Sequence, residues 1–315
     1  MATNNLISRT GSQALVPEHI SDMLLKGLSN ESVALQMFKH VPMGTSQLRM
    51  PILSALPTAY FLSGDTGLKQ TTEVDWNNKY LNVEEIACIV PISENVMDDI
   101  ESGYDLWADV NPLVQEAFAR TLDAAIIFGV NIPASWPAAI VPGAIAAGNV
   151  AVRGTNSAAS GGLSGDISDL MAQVENDGYD VTGIVANRSY RGRLRQVRTT
   201  FGQELPEVST DSAYGVDIKY PMRGLWPTGL NAAEMVAGDF TQGILGIRKD
   251  FTYKTLTEAV IQDNTGAIIY NLAQQDMVAV RFVMRIAYQV ANLLNYDNPN
   301  GGTRYAFSVL NSPSS

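Results

Sequence analysis

The spacing of hydrophobic and polar residues changes several times along the chain and predicts an α+β protein built from distinct segments. Residues 1–43 are rich in Ser, Thr, Asn and Gln, and their apolar positions recur at helical spacing in only one patch, formed by Ile20, Leu24, Leu25 and Leu28. A segment with so few apolar residues cannot form a core alone. We therefore expect residues 1–43 to be an N-terminal arm.

The next segment, residues 44–92, carries extended signals on both sides of a turn. Its first arm includes the run from Arg49 to Ile52, a Gly-containing cluster at 63–67 predicts the turn, and the return passes through Trp76 into the strand-like sequence IACIVPIS. This segment therefore predicts a long β-hairpin loop and a first core strand. Because an isolated two-stranded hairpin is marginally stable in water, we expect a hairpin of this length to lie on something else.

The strongest helical pattern spans about residues 105–128. Asn111 is a good N-cap, Pro112 suits the first helical position, and Gly129 can adopt the left-handed conformation that ends a helix. Whether the DLWADV sequence before Pro112 extends this helix or forms a separate turn stays open. Polar residues, Asp123 among them, are placed opposite an apolar stripe formed by Leu113, Val114, Ala117, Phe118, Leu122, Ala125 and Ile126.

Two segments of different character follow. Residues 133–148 are too rich in Pro and Gly to predict a regular element. Residues 163–247 predict a compact α/β domain in which Asp166 caps a helix, residues 181–187 form a buried strand and residues 189–201 form a basic helix. The buried face of the first helix is predicted to comprise Ile167, Leu170, Met171 and Val174.

The last part of the chain is dominated by strand signals. Residues 248–300 predict strands that return to the first region, and residues 301–315 predict a closing strand and a C-terminal tail. In one run, seven residues share a face at a period of two, which favours a strand over a helix. These residues are Val278, Val280, Phe282, Met284, Ile286, Tyr288 and Val290.

Composition and charge narrow the range of functions that the sequence allows. The 315 residues carry a formal charge of −11 with a pI near 4.6, so a surface dedicated to nucleic acid is not expected. A single cysteine, Cys88, excludes an intrachain disulfide framework, and two histidines, His19 and His40, offer few metal ligands. The chain shows neither a signal-peptide pattern nor a clean apolar run of membrane-spanning length, so we expect a cytoplasmic site of synthesis and no membrane partner.

Candidate catalytic groups are few. The Gly-Leu-Ser-Gly sequence around Ser164 superficially resembles a nucleophile elbow, but a turn in which Ser164 or Asp166 caps a helix is the favoured interpretation. Cys88 is expected in the core, and neither histidine has a nucleophile nearby in sequence. We interpret the acidic residues Glu84, Glu85, Asp98, Asp99 and Glu101 as a solvated face or intersubunit ion pairs. We expect no enzymatic activity, cofactor or metal, with a soluble hydrolase using Ser164 as the remote alternative.

The sharpest local charge feature is a group of arginines: Arg188, Arg191, Arg193, Arg195 and Arg198. Binding of nucleic acid would require these side chains to stand unopposed on one surface. Because the chain is acidic elsewhere, docking to an acidic neighbouring subunit is the favoured interpretation.

The order of these segments, with several degenerate motifs, resembles the Hong Kong 97-type major capsid proteins of tailed double-stranded DNA bacteriophages. The resemblance covers almost the whole chain, and each motif is weak by itself. The motifs are the Ala59-Tyr60 step on the hairpin, the VPISENVMDD run at 90–99, the helix end from Asp123 to Gly129, the Pro/Gly segment at 133–148, the strand from Asp276 to Val290 and the closing strand at 305–310.

The resemblance implies an N-terminal arm, an extended hairpin loop, a peripheral domain (93–162 and 248–300) containing the long spine helix, and an axial domain (163–247). Such subunits self-assemble as pentamers and hexamers into an icosahedral or prolate shell around packaged double-stranded DNA. The implied partners are portal and scaffolding proteins and, in some members, decoration proteins. The protein would be a virion component assembled in the host cytoplasm. An encapsulin-type nanocompartment shell of the same fold is the alternative.

The resemblance and the charge pattern together predict intersubunit contacts at Tyr60, Phe61, Lys69, Trp76, Arg188, Arg191, Arg195 and Arg198. Some members of the family join a loop lysine covalently to an asparagine of the peripheral domain. Lys69 would be the donor here, but the matching segment offers Gln275 and Asp276 and no asparagine. We therefore do not expect this cross-link.

Overall fold

A computed structural model describes residues 32–62, 68–95, 106–198, 207–221, 224–229, 232–263, 265–299 and 301–313. The predicted helical patch at 20–28, His19, the turn at 63–67 and the carboxylates of Asp98, Asp99 and Glu101 lie outside the described residues. The chain divides into two compact units. The first contains Glu85–Phe118 and Lys249–Arg285, and the second contains Glu31–Glu84, Ala119–Arg248 and Ile286–Ser315.

The described helices are short except for two. They are α1 (Val33–Met37), α2 (Leu106–Asp123, continued by a π-helical turn at Ala124–Phe128), α3 (Ile140–Ala147), α4 (Leu163–Asn176) and α5 (Tyr190–Leu194), with 3-10 turns at Ala158–Ser160 and Phe240–Gln242. Within the described ranges, none of these helices is both long enough and apolar enough to cross a membrane.

The strands form two main sheets and one separate hairpin. They are β1 (Lys39–Pro42), β2 (Gln47–Ala55), β3 (Asp75–Ser93), β4 (Val150–Val152), β5 (Gly183–Ala186), β6 (Ser212–Ala213), β7 (Val216–Lys219), β8 (Ala233–Gly238), β9 (Gly243–Leu256), β10 (Val260–Gln262), β11 (Ile268–Asn271), β12 (Met277–Val290) and β13 (Phe307–Asn311). One sheet has the order β1-β9-β12-β3-β2 and the other β4-β13-β8-β5-β7-β6, while β10 pairs with β11.

The six-stranded sheet lies in the second unit and holds an apolar cluster. The strand β5 is buried at all four positions, and its neighbour β8 pairs with it antiparallel. The helix α4 places Ile167 and Leu170 in the same cluster as Ile184 and Met235. The predicted buried strand and the predicted apolar face of α4 are therefore confirmed.

The predicted long helix is confirmed, with corrections at its start. The helix α2 begins at Leu106 and contains Pro112, so Asn111 is not its N-cap and the upstream segment extends the helix. Gly129 ends it with a φ of 77° and donates its N–H to the Ala125 carbonyl at 3.0 Å, as predicted. Most of the apolar stripe is buried, but Leu113 is exposed and Asp123, which was assigned to the polar side, is fully buried.

The expectation that residues 133–148 form no regular element is wrong, because α3 occupies Ile140–Ala147. Pro142 is only the third residue of this helix, where a backbone N–H has no intrahelical partner, so a proline loses nothing there. A Cβ on Gly143 would lie 2.5 Å from the Tyr305 hydroxyl oxygen, so this glycine lets the ring approach the helix closely.

The predicted caps and length of the next two helices also need correction. Gly162 precedes α4, and Asp166 lies within its first turn. The Asp166 carboxylate accepts the backbone N–H groups of Gly154 at 2.7 Å and Asn156 at 3.0 Å, so it fixes the preceding loop. The basic helix predicted over 189–201 is much shorter in the structure, where α5 has five residues and ends at Leu194.

The return strand buries its predicted face, and Ala279, Val283 and Ala287 of the opposite face are buried as well. On β12, six of the seven predicted inward residues are buried, whereas Arg281 on the opposite face is exposed. Cys88 is half-buried on β3 and does not belong to the core, in contrast to the prediction, and partial burial raises the pKa of its thiol.

Candidate assembly surfaces

The hairpin formed by β2 and β3 is a regular antiparallel pair. Its register runs from Gln47 opposite Asn82 to Leu53 opposite Trp76. Beyond the strands the two arms stay together, because the Thr58 N–H donates to the Thr72 hydroxyl at 2.9 Å. The Tyr60 hydroxyl also bonds to the Gln70 backbone. The described part of residues 44–92 is thus the predicted hairpin.

The hairpin exposes several large apolar side chains on both of its arms. Phe61 is fully exposed at 104%, Leu68 is 88% exposed and Trp76 is 62% exposed. Monomeric soluble proteins rarely leave contiguous apolar surface of this kind in water. We call this series the hairpin patch; its members are Leu53, Tyr60, Phe61, Leu62, Leu68, Val74, Trp76 and Tyr80.

Lys69 lies beside this patch, next to Leu68, and is exposed. Gln275 and Asp276, at the positions that resemble the cross-link acceptor, lie in the turn between β11 and β12. The Gln275 side chain accepts the Asn271 N–H at 3.0 Å, and the Asp276 carbonyl accepts the Glu94 N–H at 2.9 Å. These contacts hold the turn within the first unit.

Four of the five clustered arginines are exposed: Arg188, Arg191, Arg195 and Arg198. The Arg191 guanidinium lies 4.4 Å from the centroid of the Tyr220 ring and 3.7 Å from a carboxylate oxygen of Asp211. The Arg195 Nε donates to the Arg191 carbonyl at 3.1 Å. Because α5 ends at Leu194, these side chains come from a helix and two flanking turns and not from one helix face.

Arg193 has a different role, which the sequence did not reveal. It joins a cluster around Glu234 of β8, whose carboxylate accepts the Arg153 Nε at 2.7 Å and the Tyr190 hydroxyl at 2.6 Å. Burial alone would raise the pKa of Glu234, but the Arg153 and Tyr190 hydrogen bonds and the arginine charges hold it below its ordinary value. The signal that could have found it is a lone acidic residue in the apolar run AEMVAG.

Asp123 is a buried carboxylate that the sequence pattern assigned to the polar side of α2. Its oxygens accept the Ser32 hydroxyl at 2.7 Å, the Val33 N–H at 3.0 Å and the Ala34 N–H at 3.1 Å. Desolvation raises its pKa to about 6, against the lowering effect of these three bonds. The carboxylate therefore ties α1 to the end of α2.

Among the described residues, the candidate catalytic groups make separate contacts. The Ser164 hydroxyl donates to the Gly161 carbonyl at 2.7 Å, and His40 is exposed on β1. Glu84 accepts the Ser135 hydroxyl, and a carboxylate oxygen of Glu85 lies 3.9 Å from the Arg285 Nε. Within the described ranges, His, Cys, Asp and Glu side chains form no group that could hold a metal ion.

Within the described ranges, the surface features that stand out are the uncovered hairpin patch and the exposed arginine group. The sequence profile of the Phage capsid family matches residues 12–293. The chain is also 24% identical over 290 residues to the major capsid protein of Staphylococcus phage 80alpha, which covers 88% of this chain and 82% of that protein.

Solved structures agree with this match. A chain from Microbacterium phage Oxtober96 is 37% identical, with a TM-score of 0.78 over 98% of this chain and 99% of that one. A chain from Mycobacterium phage Cain is 29% identical, with a TM-score of 0.79 and the same coverage. The chain therefore belongs to the phage capsid family, with the Hong Kong 97-type fold.

Its role is that of a phage major capsid protein, a structural component of the virion of which many copies build the shell. Of the alternatives considered from sequence, the family match favours the phage capsid protein over an encapsulin or a hydrolase.

Proposed function

We propose that the subunits form pentamers and hexamers of a closed icosahedral or prolate shell around packaged double-stranded DNA, held together through the hairpin patch and the exposed arginines. In this proposal, residues 1–43 are the arm and residues 44–92 the extended loop. Residues 93–162 and 248–300 form the peripheral domain, and residues 163–247 form the axial domain.

The observation that carries the proposal is the exposure of the hairpin patch. Burial of apolar surface contributes roughly 25 cal/mol per Å². Covering side chains as exposed as Phe61, Leu68 and Trp76 would therefore stabilise an assembly substantially. The hairpin is regular but has few buried residues of its own beyond Leu81, so a neighbouring copy is the surface that would complete it. Many such contacts per shell add up through multivalency.

The test is assembly of a Phe61→Ser, Trp76→Ser double variant. We expect a folded subunit that forms no shells in negative-stain micrographs, because both anchors of the patch are removed. The matched control is Val130→Ser with Ile145→Ser, which changes two similarly exposed apolar residues outside the hairpin and should assemble. Normal shells from the hairpin variant would contradict the proposal.

The exposed arginines are proposed as the second contact, with an acidic surface of a neighbouring subunit. A net charge of −11 makes such surfaces abundant on a second copy. Reversal of two charges, Arg191→Glu with Arg195→Glu, should impair shell formation without unfolding the subunit. Reversal of the exposed Lys39 is the control. If the arginine variant assembles normally and instead loses affinity for DNA in a filter-binding assay, these arginines bind nucleic acid.

Portal, scaffolding and decoration proteins are proposed as further partners, with assembly in the host cytoplasm. The acidic subunit suits a wall to which packaged DNA must not adhere. The proposal includes no covalent cross-link through Lys69. Boiled shells should therefore run as a single monomer band in denaturing gels, and a ladder of multimers that disappears in Lys69→Met would show that the cross-link forms.

A further inference from the structure

The hairpin leaves the five-stranded sheet at a defined place. The strand β12 ends at Val290, and its Gln289 side chain donates to the Tyr80 carbonyl of β3 at 3.0 Å. Residues 75–78 of β3 lie further toward the tip of the hairpin and pair with β2. The direction of the free hairpin is therefore decided by what holds the chain around Lys79 and Tyr80.

Lys79 breaks the exposure pattern of this part of the strand. From Asp75 to Tyr80 every side chain is exposed except that of Lys79, which is half-buried although it ends in an ammonium group. Its ammonium donates to the Val290 carbonyl at 2.8 Å and to the Ala291 carbonyl at 2.8 Å. These are the last carbonyl of β12 and the first beyond it, so the lysine bridges the hairpin to the end of its neighbouring strand.

A second contact holds the other arm. The Tyr296 hydroxyl donates to the Pro57 carbonyl at 2.7 Å, just after the end of β2. Tyr296 is five residues beyond Ala291, so the segment 290–296 contacts both arms of the hairpin, one through Lys79 and one through Tyr296. Both contacts are side chain to backbone. The Lys79 contact lies where the supporting strand β12 ends, and the Pro57 contact lies further toward the tip, beyond the pair formed by Ala55 and Asp75.

We propose that Lys79 and Tyr296 form a clamp that sets the angle at which the hairpin leaves the subunit, and that this angle selects the curvature and hence the size of the shell. The inference builds on the proposed contact between the hairpin patch and a neighbouring copy. Contacts at two distances from the root fix the direction of the hairpin, and a small rotation of the hairpin displaces the distant patch much further, so these contacts control where a neighbour docks. Lys79 and Tyr296 are thus positioning residues for assembly.

Three variants test the clamp in assembled shells. Lys79→Met keeps the length of the side chain and removes the donors, Lys79→Arg keeps donors that can reach two carbonyls, and Tyr296→Phe removes one hydroxyl. The control is Tyr80→Phe, a hydroxyl on the same strand outside the clamp. Cryo-electron microscopy measures two quantities for each variant: the distribution of shell diameters, and the angle between the β2–β3 pair and β12 in the subunit.

We expect Lys79→Met to replace one dominant diameter by several and to widen the range of hairpin angles, with a smaller shift for Tyr296→Phe. Lys79→Arg and Tyr80→Phe should give the wild-type diameter and angle. Loss of a hydrogen bond to a charged group also predicts roughly tenfold faster amide exchange in residues 75–78 of Lys79→Met, since such bonds contribute about that factor.

Unchanged angles and diameters in Lys79→Met and Tyr296→Phe would overturn the clamp, as would equal changes in Lys79→Met and Lys79→Arg. If Lys79→Met does not fold, Tyr296→Phe alone decides between these outcomes. The proposed contact between the hairpin patch and a neighbouring copy has its own test, and normal assembly of the Phe61→Ser, Trp76→Ser variant would contradict that contact. A changed hairpin angle in shells of unchanged diameter would support the clamp and overturn its role in shell size.

Discussion

The hairpin and the six-stranded sheet of the second unit differ in whether their side chains are covered by the rest of the chain. In the sheet, β5 and β13 are buried along their whole length, and polar groups such as the buried Ser308 and the partly buried Glu234 find partners within the same unit. On the hairpin, aromatic residues as large as Phe61 and Trp76 stand in water. One region is stabilised by contacts within its own chain, and the other leaves large apolar side chains uncovered in the single subunit.

The largest effect should come from Phe307→Ala in the sheet. The Phe307 ring is fully buried and packs edge-on against Phe240 at 5.2 Å, with Tyr305 at 5.8 Å. Removing a buried phenylalanine side chain costs about 3–5 kcal/mol of unfolding free energy. Urea denaturation of unassembled subunits measures this loss. A change below about 1 kcal/mol would mean that the sheet depends on neighbours as the hairpin does.

The sequence predicted the elements that depend on local pattern. The apolar period of two on β12 and the helical period on α4 specify their buried faces without reference to the rest of the chain. The helix α3 was missed because Pro142 and Gly143 lower helix propensity, whereas the fold places the proline in the first turn and the glycine under the Tyr305 ring. Those compensations depend on tertiary contacts.

The next largest effect is a pH dependence at Asp123, which is buried where α1 meets α2. In the unfolded chain this carboxyl releases its proton near its ordinary pKa of 3.8, but burial raises the folded pKa to about 6. The folded state therefore binds more protons between these values, and this group's contribution to stability is greatest below pH 4 and falls as the pH rises to 6.

Comparison with Asp123→Asn isolates this dependence, because the other groups titrate alike in both proteins. The unfolding free energy of the wild type relative to the variant should fall by about 2 kcal/mol from pH 4 to pH 6 and by about 3 kcal/mol in all between pH values well below 4 and above 7, where it becomes constant. Parallel stability curves would show that the carboxylate is not desolvated. Ser32→Ala, which removes one bond to the ionised form, should raise the pKa of Asp123 further.

A smaller effect is expected at Glu234, the partly buried carboxylate on β8 of the six-stranded sheet. Glu234→Gln removes the charge that Arg153 and Arg193 share, and should cost about 2 kcal/mol at neutral pH, as for hydrogen bonds between charged groups. The pKa of Glu234 is lowered in the folded state, so its contribution is present above 4.5 and is lost as the pH falls through the folded pKa. Equal stabilities of variant and wild type at pH 7 would contradict this.

The candidate assembly surfaces could be predicted only in part from the sequence. Tyr60, Phe61 and Trp76 could be predicted as contact residues, because a strand pair with nothing behind it cannot bury its aromatic side chains. The arginines were grouped by sequence distance alone, and that could not separate Arg193, which turns inward to Glu234, from Arg195, which stays exposed. Nor could it place Lys79 beside carbonyls more than 200 residues away.

The smallest effect on the subunit should come from Phe61→Ala, the same chemical change as Phe307→Ala made on the hairpin. Because the ring is fully exposed, its removal should change the unfolding free energy of the unassembled subunit by less than about 0.5 kcal/mol. In assembled shells the same variant should lower the melting temperature, since the ring is then expected to be buried against a neighbour. Equal melting temperatures of variant and wild-type shells would mean that Phe61 stays in water after assembly, and the hairpin patch would have to dock through its other members.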